Sequence, residues 1–175
     1  MKTFGKVVVV MAALVIFGTL PAYAKKQKGE TLQSQPVITA EEAKATLSAA
    51  IQKLTLGKPF TKQGRQGDVK LEVPLLLEGK IVAKVRLNPI TGEILIKGQK
   101  IQAQRLSVSP EEAVKAVQLI LPKMQVGSAW LGKNGEWKVP LLYQGVIIVE
   151  MGVHGKDGSI LPDWKTSKDV TMFGK

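Results

Sequence analysis

The sequence has no cysteine and only one histidine, His154, among its 175 residues. Disulfides therefore cannot brace the chain, and its stability must come from burial. One imidazole without any thiolate cannot build a zinc site from the usual nitrogen and sulfur ligands. A serine-hydrolase triad would need His154 as its base, and no flanking motif marks a nucleophilic serine. We therefore predict a protein that is not an enzyme, with no metal site and no cofactor.

Long apolar runs are also scarce, and the one that is present extends from Val7 to Leu20. Lys2 and Lys6 precede it and Ala22-Tyr23-Ala24 follows it, which is the arrangement of a secretory signal peptide. The run is shorter than the roughly 20 apolar residues that a membrane-spanning helix needs, so an uncleaved anchor is the less favoured alternative. We predict cleavage after Ala24, a periplasmic or secreted location, and no transmembrane segment in the mature chain.

Acidic residues are outnumbered, with 14 Asp and Glu against 25 Lys and Arg, and the net charge is +11. A basic exported protein can meet anionic lipid, an anionic wall polymer or an acidic partner, although such a charge also serves solubility alone. Nucleic acid is not expected as a partner, because an exported protein seldom meets it.

Two similar helices are predicted about 70 residues apart. Thr39 and Ser109 each begin a capping box, with Glu42 and Glu112 three residues further on. The apolar residues that follow have the spacing of a helix with one apolar face. They are Ala43, Leu47, Ala50, Ile51 and Leu54 in the first helix, and Ala113, Val117, Ile120, Leu121 and Met124 in the second. Pro122 should end or kink the second helix.

Two similar hairpins follow the helices, at Val73–Ile81 and Val139–Ile147, with an offset of 66. Residues alternate between apolar and polar along the first hairpin, and a second turn at Pro89–Gly92 leads into a further strand. The fold class is therefore α+β, with two tandem repeats of a helix plus an antiparallel sheet. The predicted segments are a signal peptide (1–24), a linker (25–36), a first repeat (37–104), a second repeat (105–164) and a C-terminal tail (165–175).

The repeated unit resembles the PepSY domain, a family named for the propeptides of certain secreted peptidases and for a spore-germination protein. The resemblance is carried by Ile38–Ala43, Lys80–Leu87 and Asn88–Leu95 in the first copy, and by Val108–Ala113 and Val153–Leu161 in the second. It implies a non-catalytic exported module that binds another exported protein, with a protease as the partner it would restrain. The alternative is a basic envelope-surface protein that binds anionic lipid or cell-wall polymer.

Two surfaces are candidates for binding. The outward face of the first hairpin is predicted to be basic, and the same face of the second hairpin is predicted to be apolar. The basic face comprises Lys70, Lys80, Lys84 and Arg86, with Glu72 among them, and the apolar positions are Leu142, Val146 and Ile148. The apolar face either packs against the other repeat or the C-terminal tail, or forms a docking patch for a partner. Trp130 and Trp164 are predicted near strand ends as interface aromatics, whereas Trp137 is predicted to face the core.

Overall fold

A computed structural model describes residues 35–64 and 66–174. The predicted signal peptide and residues 25–34 of the predicted linker lie outside the described residues. The chain has an α+β fold with three α-helices and two antiparallel four-stranded sheets. Within the described ranges, none of the helices has the length and apolar character needed to cross a membrane.

The helices and strands occur in two similar successions, followed by a third helix. The first succession is α1 (Ala40–Ile51), β1 (Thr55–Leu56), β2 (Phe60–Gln63), β3 (Val69–Leu77) and β4 (Lys80–Leu87). The second is α2 (Pro110–Ile120), β5 (Gln125–Val126), β6 (Trp130–Leu131), β7 (Trp137–Tyr143) and β8 (Val146–Val153), and α3 (Trp164–Phe173) ends the chain. Strands β1–β4 form the first sheet and β5–β8 form the second.

Both predicted capping boxes are confirmed. The side chains of Thr39 and Ser109 accept hydrogen bonds from the backbone N–H groups of Glu42 and Glu112, whose carboxylates in turn accept from the cap residues. Each cap satisfies backbone donors that the first helical turn leaves without partners. The predicted effect of Pro122 is also confirmed, because α2 ends at Ile120 and a short 3-10 turn continues to Lys123.

The two sheets have the same strand order and the same register. In each sheet the long central strand, β3 or β7, pairs on one side with the two short strands and on the other with the second long strand. Pairs such as Leu71↔Leu87 in the first sheet return as Trp137↔Val153 in the second, 66 residues later. The first sheet has two additional pairs at the start of its hairpin, Lys62↔Lys70 and Gln63↔Val69. These pairs account for the four extra residues of the first succession.

The two successions pack on each other rather than on themselves. Helix α1 contacts β5 and β7 of the second sheet, and α2 contacts β3 of the first. The backbone N–H of Lys97 donates to the carbonyl of Ile147 at 2.7 Å, and that of Asp163 donates to the carbonyl of Ile81 at 2.8 Å. In both bonds the segment that follows one sheet is held by the other. The result is one shared core, which contains apolar residues from both helices and both sheets.

A β-bulge corrects the predicted register of both hairpins. The pairing passes from Leu141↔Val149 to Leu142↔Ile147, so Ile148 is the extra residue of the second hairpin. Val82 is the extra residue of the first. A bulge residue leaves the alternation of the strand and turns the backbone locally. Ile148 and Val82 accordingly lie in the shared core, with only 5% and 4% of their surfaces exposed.

Two further expectations need correction. No regular strand follows the turn at Pro89–Gly92 in the described chain, where Ile94 makes only an isolated bridge to Leu87. The C-terminal segment, predicted as a tail, forms α3, whose first turn is capped by the side chain of Asp163. The helix contacts β2 and β4, so it covers part of the first sheet.

Candidate functional site

The outer face of the first sheet, opposite the shared core, lies beneath α3. Glu72 of β3 is 2% exposed on this face, and its carboxylate lies 2.6 Å from Nζ of Lys84 and 3.4 Å from Nζ of Lys62. Asp169 of α3 pairs with Lys62 and lies 3.5 Å from Lys84. A buried carboxylate is costly unless it is paired, and here two lysines and two carboxylates balance one another. This buried charge cluster holds α3 against the sheet.

The pKa shifts of the cluster favour its charged forms. Burial is the largest influence on Lys62 and lowers its pKa, but Asp169 and Glu72 outweigh it, and the pKa is raised overall. Burial likewise raises the pKa of Asp169, but Lys62 and Lys84 outweigh it, and the pKa is lowered. Lys84 is therefore not part of an exposed basic face, which corrects the prediction from its strand position.

The outer face of the second sheet instead carries an open groove of about 560 Å³. Three carboxylates line it, from Glu136, Glu150 and Asp163, together with the ammonium of Lys138 and the imidazole of His154. Gly152 lies on the floor of the groove. Counting 66 residues along the chain, Lys138 and Glu150 are the counterparts of Glu72 and Lys84, so the groove occupies the position that α3 covers on the first sheet.

The charged groups of the groove are linked by ion pairs. Nζ of Lys138 lies 3.4 Å from the carboxylate of Glu136 and 3.5 Å from that of Glu150, which also pairs with Lys97. Burial raises the pKa of Glu136, but backbone N–H groups and Lys138 outweigh it, so the pKa lies below its usual value. Burial and then the like charge of Lys138 lower the pKa of Lys97. The carboxylates that line the groove outnumber its single lysine, so its lining is acidic.

Both exposed tryptophans lie close to this groove. Trp130 pairs with Lys138 across the ladder, so its side chain is on the outer face, and it is 40% exposed. Trp164 is 77% exposed and follows Asp163, which lines the groove. Trp164 begins α3 rather than lying near a strand end, which corrects its predicted setting. Trp137 packs against the core, and its indole N–H donates to the carbonyl of Ile38 at 2.9 Å.

The predicted apolar patch is dispersed. Leu142 is half-buried on the outer face, close to Gly127 of the β5–β6 connection. Val146 pairs with Tyr143, whose ring packs against the core, so the bulge places Val146 on the inner face at the end of the sheet. Ile148 lies in the core and is not accessible to a partner. The structure therefore does not bring these three residues together on one surface.

The predicted basic face is also divided. Lys80 pairs with Leu77 on the inner side, which again results from the bulge. Lys70 and Arg86 both line a second cavity at the end of the first sheet. Lys100 and Lys165 line the same cavity, and sequence reasoning missed them because they are distant along the chain. It also missed Lys62 and Asp169, which only the docking of α3 brings together.

His154 is held in a turn. Nδ1 of His154 lies 2.9 Å from Oδ1 of Asp157, and the same oxygen accepts hydrogen bonds from the backbone N–H and the hydroxyl of Ser159. These donors from Ser159, and then His154, lower the pKa of Asp157 to about 2. The serine hydroxyl is thus directed at the carboxylate rather than the imidazole, whereas a nucleophilic triad needs it against the imidazole. The equivalent turn at Asn88 has the same backbone hydrogen bonds.

Metal ligation and similarity complete the description of the site. Among residues 35–64 and 66–174, no three His, Asp or Glu side chains are grouped so that they could hold a metal ion. The chain matches no protein-family model, no curated protein and no solved structure.

Proposed function

We propose that the mature chain is an exported, non-catalytic binding module made of two tandem PepSY-like copies. It holds a partner protein outside the cytoplasm, and an exported protease is the candidate partner that the PepSY resemblance supplies. The constant offset of 66 residues between equivalent strand pairs supports the tandem arrangement. The signal-peptide features of residues 1–24 support export.

The contrast between the two outer faces carries the proposal. On the first sheet the chain's own helix α3 covers this face, and Asp169 pairs with the lysines beneath it. On the second sheet the equivalent positions line an open groove, next to the exposed ring of Trp130. A concave site with convergent polar groups beside an exposed aromatic ring is typical of a binding surface.

The lining of the groove indicates what its partner should present. Glu136 and Glu150 favour a cationic side chain, and Trp130 favours an apolar or cationic contact against its ring. We therefore propose that the partner inserts a segment carrying Lys or Arg. A binding role also agrees with the setting of His154, whose contacts within its turn explain its position without catalysis. His154→Ala should therefore leave the binding of a partner unchanged.

Inhibition of exported proteases tests the proposal. Purified mature protein is added to each exported protease of the same cell, and the residual cleavage of a peptide substrate is measured. We expect inhibition of at least one protease by the unaltered protein. Trp130→Ala should weaken this inhibition at least about tenfold, since aromatic residues at the centre of an interface typically contribute this much.

Phe173→Ala is the matched control. Phe173 is 42% exposed, close to the 40% of Trp130, but it lies at the far end of α3. Its replacement should leave inhibition intact. Equal losses in the two variants would refute the groove as the binding site, and no inhibition of any exported protease would refute restraint of a protease. Inhibition that disappears at 1 M salt would favour the alternative of attraction by surface charge, because the screening length is then only about 3 Å.

A further inference from the structure

A basic cavity of about 660 Å³ lies at the end of the first sheet, away from the groove of the second. Four cationic side chains line it, each from a different part of the fold: Lys70 of β3, Arg86 of β4, Lys100 of the segment that leads towards α2, and Lys165 of α3. Asp68 is the single carboxylate in its lining. The cavity therefore has a strong excess of positive charge.

The cavity is closed on one side by residues 98–102, and hydrogen bonds hold this segment in place. The backbone N–H of Val69 donates to the carbonyl of Ala103 at 2.7 Å, and the N–H of Gln99 donates to the carbonyl of Ile96 at 3.0 Å. The guanidinium of Arg86 also donates to the carbonyl of Ile96, at 3.1 Å. This bond fixes the guanidinium in the cavity wall, so one cationic group is positioned before any ligand arrives.

The cations of the cavity differ from the other lysines of the first sheet. Lys62 and Lys84 are balanced by Glu72 and Asp169, whereas the four cavity cations share one carboxylate, 3.4 Å from Nζ of Lys70. In the second sheet the counterparts of Lys70 and Arg86 are Glu136 and Gly152, which line an acidic groove. The positive charge therefore belongs to this cavity and not to the fold in general.

We propose that this cavity binds a phosphate group. Several converging ammonium groups and a fixed guanidinium suit a multiply charged oxyanion, because hydrogen bonds between charged partners are among the strongest in proteins. A phosphate monoester or diester could come from a small soluble compound or from the headgroup of an anionic lipid. Leu71, Leu87 and Leu95 also line the cavity, so it can accept an apolar part attached to the phosphate.

Binding measurements on the mature protein test this proposal. The probes are glycerol 3-phosphate, followed by calorimetry, and vesicles of phosphatidylglycerol in phosphatidylcholine, followed by co-sedimentation. Lys100→Glu with Lys165→Glu removes two cavity cations, and both residues are exposed, so folding should be preserved. We expect binding to the probe to weaken at least about tenfold in this double variant.

Lys53→Glu with Lys123→Glu is the matched control, because both lysines are exposed, lie outside the cavity lining and change the net charge equally. This control should bind as the unaltered protein does. Binding of glycerol 3-phosphate would identify a soluble phosphate as sufficient, and binding of the vesicles alone would identify the lipid headgroup. Equal losses in both double variants would overturn the proposal, since attraction would then follow net charge. Failure of the unaltered protein to bind either probe would also overturn it.

Discussion

The position of Ile148 at the bulge of β8 makes a sharp prediction about stability. Its side chain is 5% exposed and lies in the shared core, whereas Val146, two residues earlier on the same strand, is 39% exposed. Replacing a buried isoleucine by alanine removes three carbons and leaves a cavity. Ile148→Ala should therefore lower the free energy of unfolding by about 2–5 kcal/mol. At about 4 °C per kcal/mol for a domain of this size, Tm should fall by roughly 8–20 °C.

Val146→Ala is the control for this experiment, because it also shortens an apolar side chain on the same strand. It should change the free energy of unfolding by less than about 1 kcal/mol, since much of the valine side chain is already in contact with water. Thermal and urea unfolding, followed by circular dichroism, measure both variants. A loss at Ile148 no larger than that at Val146 would show that the bulge is misplaced and that the strand follows simple alternation instead.

Three further predictions concern the charge cluster, cooperativity and export. The ion pairs lower the pKa of Asp169, so its carboxylate stabilises the fold above its usual pKa of about 4 and loses this effect as pH falls through the lowered value; Asp169→Asn should lower Tm at neutral pH, and the gap from the unaltered protein should narrow below about pH 4, whereas a gap independent of pH would contradict the role of the charge. A fragment of residues 25–104 should lack a sharp thermal transition, because α1 packs on the second sheet, and a cooperative transition of that fragment would contradict the shared core. Mass spectrometry of the exported protein should find a mature chain that begins at Lys25, and an intact Met1 in that pool would disprove cleavage after Ala24.

The sequence alone was sufficient for the features that depend on neighbouring residues. Capping by Thr39 and Ser109 and the end of α2 before Pro122 follow from backbone donors and acceptors within a few residues. The long strands and their two-residue turns follow from alternation and from the Gly79 and Gly145 positions, where the backbone takes positive φ. The inward setting of Trp137 could also be predicted, because the start of each long strand precedes the bulge.

The tertiary structure decided what lies on each surface. Val82 and Ile148 leave the alternation, so Lys80 and Val146 lie on the inner face instead of the predicted outer one. Nothing local marks this bulge, because a bulge residue looks like any other apolar residue until its partner strand is present.

The candidate sites depend even more strongly on distant parts of the chain. Asp169 reaches Lys62 across 107 residues, and Lys165 lines the same cavity as Lys70. Trp130 could be singled out from its residue type, but its place beside the acidic groove follows from the pairing of β6 with β7. Charge and hydrophobicity along a sequence predict which residues can bind. Whether a lysine is paired, exposed or directed into a cavity depends on the elements that pack around it, and the docking of α3 determined this here.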